Sequence, residues 1–286
     1  MKAILNGTIV NREENNIQLA NRGLQYGDAV FETMRGADSH IYFWEDHYFR
    51  LMASMRILRM PIPMKFTPEY LNEKVLELIK ENKLQKSPFS VKILVWRDAT
   101  GKYTPIDSNV GYFITIDKLD SPLFTYNDQA YEVNLFRDHY VHAGMLSNVK
   151  TTNRIINVLG SIYANENDYD NCLLLNDTKH VAEALNANLF LVNGYKIRTP
   201  KLESGCINGM MRKQVIKLIG EWPDYILEED DISPFELQKA DEMFLTNSLV
   251  GIQPVSRYRK KEYATKVSKQ LHERLNAKLS NKKSLV

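Results

Sequence analysis

The sequence predicts a mixed α/β (α+β) protein of two domains. Segments with strand periodicity and segments with helix periodicity alternate in two blocks along the chain. Between the blocks, residues 117–128 break the hydrophobic rhythm with Pro122 and several Asp and Asn residues. The 286 residues are long for one compact core and ample for two of ordinary size. The expected division is a smaller N-terminal domain over 1–117, a linker over 118–128 and a larger C-terminal domain over 129–286.

Taken in order, residues 3–10 read as two short strands around Asn6-Gly7, a favoured hairpin turn. Residues 29–35 and 40–44 are strand candidates. Residues 46–58 are helical, with Tyr48, Leu51, Met55 and Leu58 three or four apart. A clearer helix spans 67–82: Thr67 caps it, Pro68 suits the first turn, and Leu71, Val75, Leu78 and Ile79 form the apolar stripe. Strands follow over 89–96 and 110–116. The second block opens with a strand over 131–136 and a helix over 152–165, with Ile155, Ile156, Leu159 and Ile162 expected on one face. Short strands come at 172–175, 180–183 and 189–192. A helix runs from Gly209 to Ile219 and a short one covers 234–239. A strand at 242–246 and a last helix over 263–278 complete the chain.

Composition excludes several classes. With 44% hydrophobic and 25% charged residues the chain has the balance of a folded protein, so disorder is expected only at its ends. The net charge of +2 is spread over mixed acids and bases, which leaves no basic stripe for nucleic acid. The Lys-rich end, 281–286, is expected to be a solvated tail. Apolar runs such as 93–96 are far too short to cross a bilayer. Cys172 and Cys206 lack metal-ligand and redox-pair spacing, so no metal site is expected. With no signal peptide legible, a cytoplasmic location is the expectation. His139 and His142 form the one close histidine pair and are expected to play a local role. There is no glycine-rich dinucleotide fingerprint, phosphate-loop motif or His-Glu-x-x-His.

Eight segments stand out together: residues 22–28 (Arg-Gly-Leu-Gln-Tyr-Gly-Asp), Phe31-Glu32-Thr33, the helix with His47 and Arg50-Leu51, and residues 148–154 around Lys150. Further on come Val181-Ala182-Glu183 with Asn188-Leu189-Phe190, Thr199-Pro200, residues 208–212, and Ala240-Asp241-Glu242 with Thr246-Asn247-Ser248 and Pro254-Val255. In this order and spacing, from Asn6 to about Leu275, the chain resembles the class IV (fold type IV) pyridoxal 5′-phosphate (PLP) enzymes. These include branched-chain aminotransferases, D-amino acid aminotransferases and 4-amino-4-deoxychorismate lyases. The resemblance implies a two-domain fold with PLP between the domains, the C-terminal domain binding it, and a homodimer.

It also implies a role for each matching residue. Lys150 is the lysine that holds PLP as a Schiff base and later moves a proton at the reacting carbon; an amine must be neutral to attack, which burial near other cations favours. Glu183 faces the pyridine nitrogen and keeps it protonated, although Ala184 follows it where most relatives have glycine. Arg50 grips the phosphate. Gly209 and the N–H groups of Met210 and Met211 supply the helix N-terminus that faces the same anion. Asn188, Thr246, Asn247 and Ser248 complete the cofactor set.

Tyr26, Phe31, Lys92, Lys102 and Asn247 are the candidate substrate contacts. Residues 208–212 and 240–243 resemble the lyases more than the branched-chain enzymes. Lys92 matches a lyase lysine, while Lys102 stands where an arginine is usual, keeping the charge and losing the planar fork. A substrate with two carboxylates suits two cations and an amide donor. Ordinary solvated lysines at 92 and 102 remain the alternative. The leading expectation is therefore conversion of 4-amino-4-deoxychorismate to 4-aminobenzoate and pyruvate, in folate biosynthesis. The rival readings are a branched-chain or D-amino acid aminotransferase using 2-oxoglutarate, and a PLP carrier without turnover.

Overall fold

The computed structural model describes residues 1–14 and 17–283, the side chains of 281–283 excepted. They form two compact units. Unit 1 is Met1–Pro122 with Lys150–Asn153, and unit 2 is Leu123–Val149 with Arg154–Val286. The stretch expected as linker is tied down on both sides of Pro122. Arg35 and Tyr42 donate to the carbonyls of Ser121 and Pro122, and Phe124 exchanges two hydrogen bonds with Asn276.

Unit 1 is one antiparallel sheet with two helices on one face. Its elements are β1 (Lys2–Leu5), β2 (Thr8–Asn11), α1 (Arg22–Tyr26), β3 (Ala29–Ala37), β4 (His40–Ile41), α2 (Trp44–Ile57), α3 (Pro68–Glu81), β5 (Pro88–Arg97) and β6 (Val110–Lys118). The strand order is β2-β1-β6-β5-β3-β4. Thr67 Oγ1 caps α3 by accepting from Tyr70 N, and Leu71, Val75, Leu78 and Ile79 are all buried, as the periodicity requires. The strand expected over 40–44 stops at Ile41, because Phe43 adopts φ 56° and turns the chain into α2.

Alternation gives this sheet two unlike faces. Val30, Glu32, Met34, Ile93, Val95 and Ile114 point to the helices and are buried. Thr33, Lys92 and Thr115 are directly opposed across β3, β5 and β6, as are Phe31, Leu94 and Phe113, and these six make the other face.

Unit 2 contains β7 (Glu132–Val141), α4 (Ile155–Glu166), β8 (Asn171–Asn176), β9 (Val181–Ala184), β10 (Asn188–Asn193), β11 (Lys196–Pro200), α5 (Met210–Gly220), β12 (Ile226–Asp230), α6 (Pro234–Leu237), β13 (Glu242–Asn247), β14 (Gly251–Val255), β15 (Arg257–Tyr258), β16 (Lys261–Glu262) and α7 (Lys266–Lys283). Two five-stranded sheets, β12-β11-β10-β13-β14 and β16-β15-β7-β8-β9, share a core of residues such as Leu135, Leu173, Val181, Leu189, Leu191, Met243 and Leu245. Strands β11, β12 and β14 were not expected from the sequence; each is only five residues long and carries Pro, Gly or acids that mask its pattern.

Two expectations about helices need correction. The helix expected from 152 begins at Ile155, since the chain just before it pairs with β3 instead. Its inward face carries Gly160 and Ala164, with Ile156 and Tyr163 packed at the edge. Of the expected stripe only Ile156 packs inward; Ile155, Leu159 and Ile162 are 66, 37 and 49% exposed, and Val158 beside them is 51% exposed. At the C-terminus, α7 continues to Lys283, into the expected tail, and residues 284–286 lie outside the described residues.

Thr67→Ala is expected to lower unfolding free energy by about 1 kcal/mol through loss of the cap, read from urea denaturation; no change would show that the α3 cap contributes nothing.

Candidate active site

In unit 1 the polar groups are organised by Glu32. A carboxylate on the helix-facing side of β3 must find partners, because burial without them is costly. Helix α2 supplies two from successive turns. His47 Nδ1 lies 2.6 Å from Glu32 Oε2. Arg50 Nε and Nη2 donate to Oε1 and Oε2, each at 2.6 Å, a two-bond fork. Burial raises the Glu32 carboxyl, but the Arg50 charge and the hydrogen bonds from His47 and Arg50 outweigh it and bring it from 4.5 down to about 2. Burial lowers the His47 imidazole, and Arg50 and Lys150 push the same way against Glu32, so the ring is neutral and donates Nδ1–H. This network was missed at the level of sequence. The legible signal was an acid between Val30 and Met34 on an inward face, with His47 and Arg50 three residues apart.

Lys150 reaches unit 1 through a backbone graft. Phe31 N donates to Lys150 O at 3.0 Å and Thr152 N to Ala29 O at 3.1 Å, with a β-bridge between Val30 and Thr151. Thr152 Oγ1 and Asn153 Nδ2 both donate to Gly27 O. Gly27 has φ 64°, and a Cβ there would sit 2.2 Å from Asn153 Oδ1, so only glycine fits. Lys150 Nζ then stands 4.5 Å from the centre of the Phe31 ring, and Lys92 Nζ stands 4.9 Å from the same ring. Phe31, Lys92 and Lys150 are thus brought together. Tyr26 and Lys102 are placed elsewhere in unit 1, Tyr26 with its ring 5.6 Å from Tyr103 and Lys102 exposed in the loop over 98–109.

In unit 2, Glu183 and Asn188 hold the backbone of Ile207 from both sides. Glu183 Oε2 accepts from Ile207 N at 2.8 Å, and Asn188 Nδ2 donates to Ile207 O at 2.9 Å. Asn148 Nδ2 bonds the carbonyls of Leu202 and Cys206 just before it. A Cβ at Gly209 would lie 2.0 Å from Asn188 Oδ1, which explains the glycine. Helix α5 starts at Met210 with no side-chain cap, and both Met210 and Met211 are buried. Thr246, directly opposite Asn188 across β10 and β13, has a buried Oγ1 without a hydrogen-bond partner. Asn247 Oδ1 accepts from Leu249 N and Val250 N, so its oxygen serves the turn into β14 that also contains Ser248.

The remaining chemistry-bearing residues lie apart. His139 sits against Phe136, and His142 pairs with Asp177. Burial pushes the Cys172 and Cys206 thiols up to about 11 and about 12. Among the described residues no group of three or more His, Cys, Asp or Glu could hold a metal ion, and no helix is long and apolar enough to cross a membrane.

Residues 29–258 match the model of the class IV aminotransferases, and the chain belongs to that enzyme family. It is 27% identical over 246 residues to an aminodeoxychorismate lyase of Vibrio harveyi, covering 85% of this chain and 88% of that one. It is 28% identical over 264 residues to a putative branched-chain-amino-acid aminotransferase of Methanocaldococcus jannaschii, covering 89 and 87%. The branched-chain amino acid aminotransferase of Thermobaculum terrenum, solved in its PLP-bound form, shares the fold with a TM-score of 0.83 at 24% identity, over 96% of this chain and 92% of that one.

Because the Glu32 carboxyl is depressed, it contributes stability above pH 4.5 that is lost as pH falls toward 2. Glu32→Gln leaves Arg50 without its counter-charge and is expected to cost about 3–5 kcal/mol at neutral pH and to flatten the loss below pH 4.5. Urea unfolding at pH 7 and pH 4 reads both effects; equal parent and variant stabilities at pH 7 would overturn the network's role.

Proposed function

We propose that this enzyme carries pyridoxal 5′-phosphate on Lys150 and converts 4-amino-4-deoxychorismate to 4-aminobenzoate and pyruvate, a step of folate biosynthesis. The residues fit the cofactor. Thr246 Oγ1 is a buried hydroxyl with no hydrogen-bond partner among the described residues, and Gly209 opens an uncapped helix end whose N–H groups favour an anion. Arg50 in unit 1, oriented by Glu32, and the N–H groups of Met210 and Met211 in unit 2 are the groups that would bind a phosphate. Asn188 supports them by fixing the Ile207 peptide. Glu183, held by Ile207 N–H, keeps the proton on the pyridine nitrogen. When bound, the cofactor supplies an electron sink for the bond broken at the amine-bearing carbon. Lys150, with its amine free, would take the proton from that carbon. The ether oxygen then leaves the neighbouring carbon with its bonding pair as the enol of pyruvate, and the ring becomes aromatic.

One observation carries the lyase reading: the Lys92 ammonium and Lys150 both stand over the Phe31 ring, 4.9 and 4.5 Å from its centre. A dicarboxylate substrate gives Lys92 a partner, whereas an apolar side chain would leave that charge beside it unpaired. Phe31, Leu94 and Phe113 on the same sheet face favour a second reading, a branched-chain aminotransferase using 2-oxoglutarate.

Incubation with aminodeoxychorismate, and separately with leucine plus 2-oxoglutarate, is expected to yield 4-aminobenzoate and pyruvate in the first case only. Lys92→Met is expected to lower kcat/KM for aminodeoxychorismate by roughly tenfold to a hundredfold, the loss of one charge-assisted contact. Leucine turnover without any 4-aminobenzoate would end the lyase reading. Borohydride reduction of the holoprotein is expected to fix the cofactor on Lys150; a label on another lysine would overturn the Lys150 assignment.

We also propose a homodimer that buries the outer face of α4, since Ile155, Val158, Leu159 and Ile162 form an exposed apolar stripe at i, i+3, i+4 and i+7. Light scattering is expected to give twice the 33.1 kDa chain mass, and Leu159→Asp with Ile162→Asp to give the monomer. A dimer unaffected by both changes would place the interface elsewhere.

A further inference from the structure

We propose that Arg22 is a positioning residue that clamps the loop over 98–109 and thereby sets the substrate KM. Arg22 opens the five-residue α1 and is almost fully buried, an unusual place for a guanidinium without full pairing. Its charge is balanced by Asp28, whose Oδ2 accepts from Arg22 Nε at 3.0 Å. The rest of the fork points at three successive carbonyls of the loop. Nη1 donates to Gly101 O at 3.1 Å and to Lys102 O, and Nη2 donates to Tyr103 O at 3.3 Å. The plane also lies 5.0 Å from the centre of the Tyr26 ring, and Tyr26 in turn meets Tyr103.

The anchor is braced from behind. Asp28 Oδ2 also accepts from Arg97 Nε at 2.9 Å, and Arg97 donates to the carbonyls of Leu58 and Arg59. The loop is stapled near its base, where Thr100 Oγ1 donates to Asp107 Oδ2 at 2.6 Å and Ile106 N to Thr100 O at 3.0 Å. Its outer side chains pack on little: Lys102, Tyr103 and Ile106 are exposed. A loop with so little side-chain packing takes its position from its backbone bonds, and Arg22 supplies those at its tip. The fork is needed because one guanidinium spans three carbonyls and a carboxylate, which a single ammonium cannot. The middle carbonyl belongs to Lys102, so the same group that orders the loop fixes the backbone of a candidate substrate cation. The KM consequence rests on Lys102 contacting substrate, as the family resemblance implies; the clamp itself does not.

The test is Arg22→Lys, which keeps the charge beside Asp28 and removes the fork. Trypsin cleavage of the holoprotein after Lys102, followed by mass spectrometry, is expected to become at least about tenfold faster while cleavage elsewhere stays unchanged. KM for aminodeoxychorismate, or for leucine if that is the substrate the parent uses, is expected to rise about tenfold with kcat within about twofold. Lys102→Met is expected to raise KM in the parent and to add little in the Arg22→Lys background, as coupled residues do. Unchanged cleavage after Lys102 overturns the clamp, whatever the substrate proves to be. Faster cleavage with unchanged KM overturns the link to substrate. A parent that uses only leucine defeats the lyase reading and leaves the clamp to be judged on cleavage. Should Arg22→Lys fail to fold, Tyr103→Ala removes only the exposed ring against Tyr26; a KM rise of about threefold is then expected, and an unchanged KM overturns the proposal.

Discussion

The buried carboxylate of Glu32 is the constraint around which unit 1 is arranged. A charge on the helix side of a sheet is tolerated only when paired and hydrogen-bonded, and here Arg50 supplies the opposite charge while both Arg50 and neutral His47 hydrogen-bond the carboxylate. That requirement fixes how α2 is rotated on β3, because the two residues three apart must face the strand together. It also leaves alternate positions of β3 facing the opposite way, where Phe31 receives Lys92 and Lys150. The helix face and the candidate active face of the sheet are two sides of one strand.

Unit 2 solves a different problem. Between β11 and α5 the chain must present a helix start without capping it, which leaves a turn with little of its own to hold it. Glu183 and Asn188 grip the backbone of Ile207 through its N–H and its carbonyl, and Asn148 holds the carbonyls before it. The turn is thus positioned by side chains from β9, β10 and the segment before Lys150. Gly209 follows as the one residue small enough to pass Asn188. Two of the candidate cofactor residues, Glu183 and Asn188, thus hold this turn, and the orphaned hydroxyl of Thr246 stands opposite Asn188.

Much of this was legible before folding. The cap and stripe of α3, the range of α5, the Asn6-Gly7 hairpin and most strands of unit 1 follow from local periodicity and turn chemistry, which depend on neighbours in sequence. The eight segments were readable on a different ground, their resemblance in order and spacing to a known family, which periodicity does not supply. The misreadings each had a tertiary cause. The strand over 40–44 was cut short by the left-handed residue Phe43. The stripe of α4 was read as core, although its small residues Gly160 and Ala164 lie inward and leave the large ones outside.

Local pattern alone determined the two blocks of mixed strands and helices, the family, and the types of residue available for chemistry at Lys150, Glu183, Arg50 and the start of α5. Only the tertiary structure decided what each of them meets. Residues 150–152 became a bridge to β3 because β3 has free backbone groups at positions 29–31, and so the lysine left its expected block and joined Phe31 and Lys92. Glu32 became the partner of Arg50, and Arg22 the partner of a loop about 80 residues away, because a buried charge is satisfied by whatever the fold brings within hydrogen-bond reach, and that distance is not written in sequence spacing.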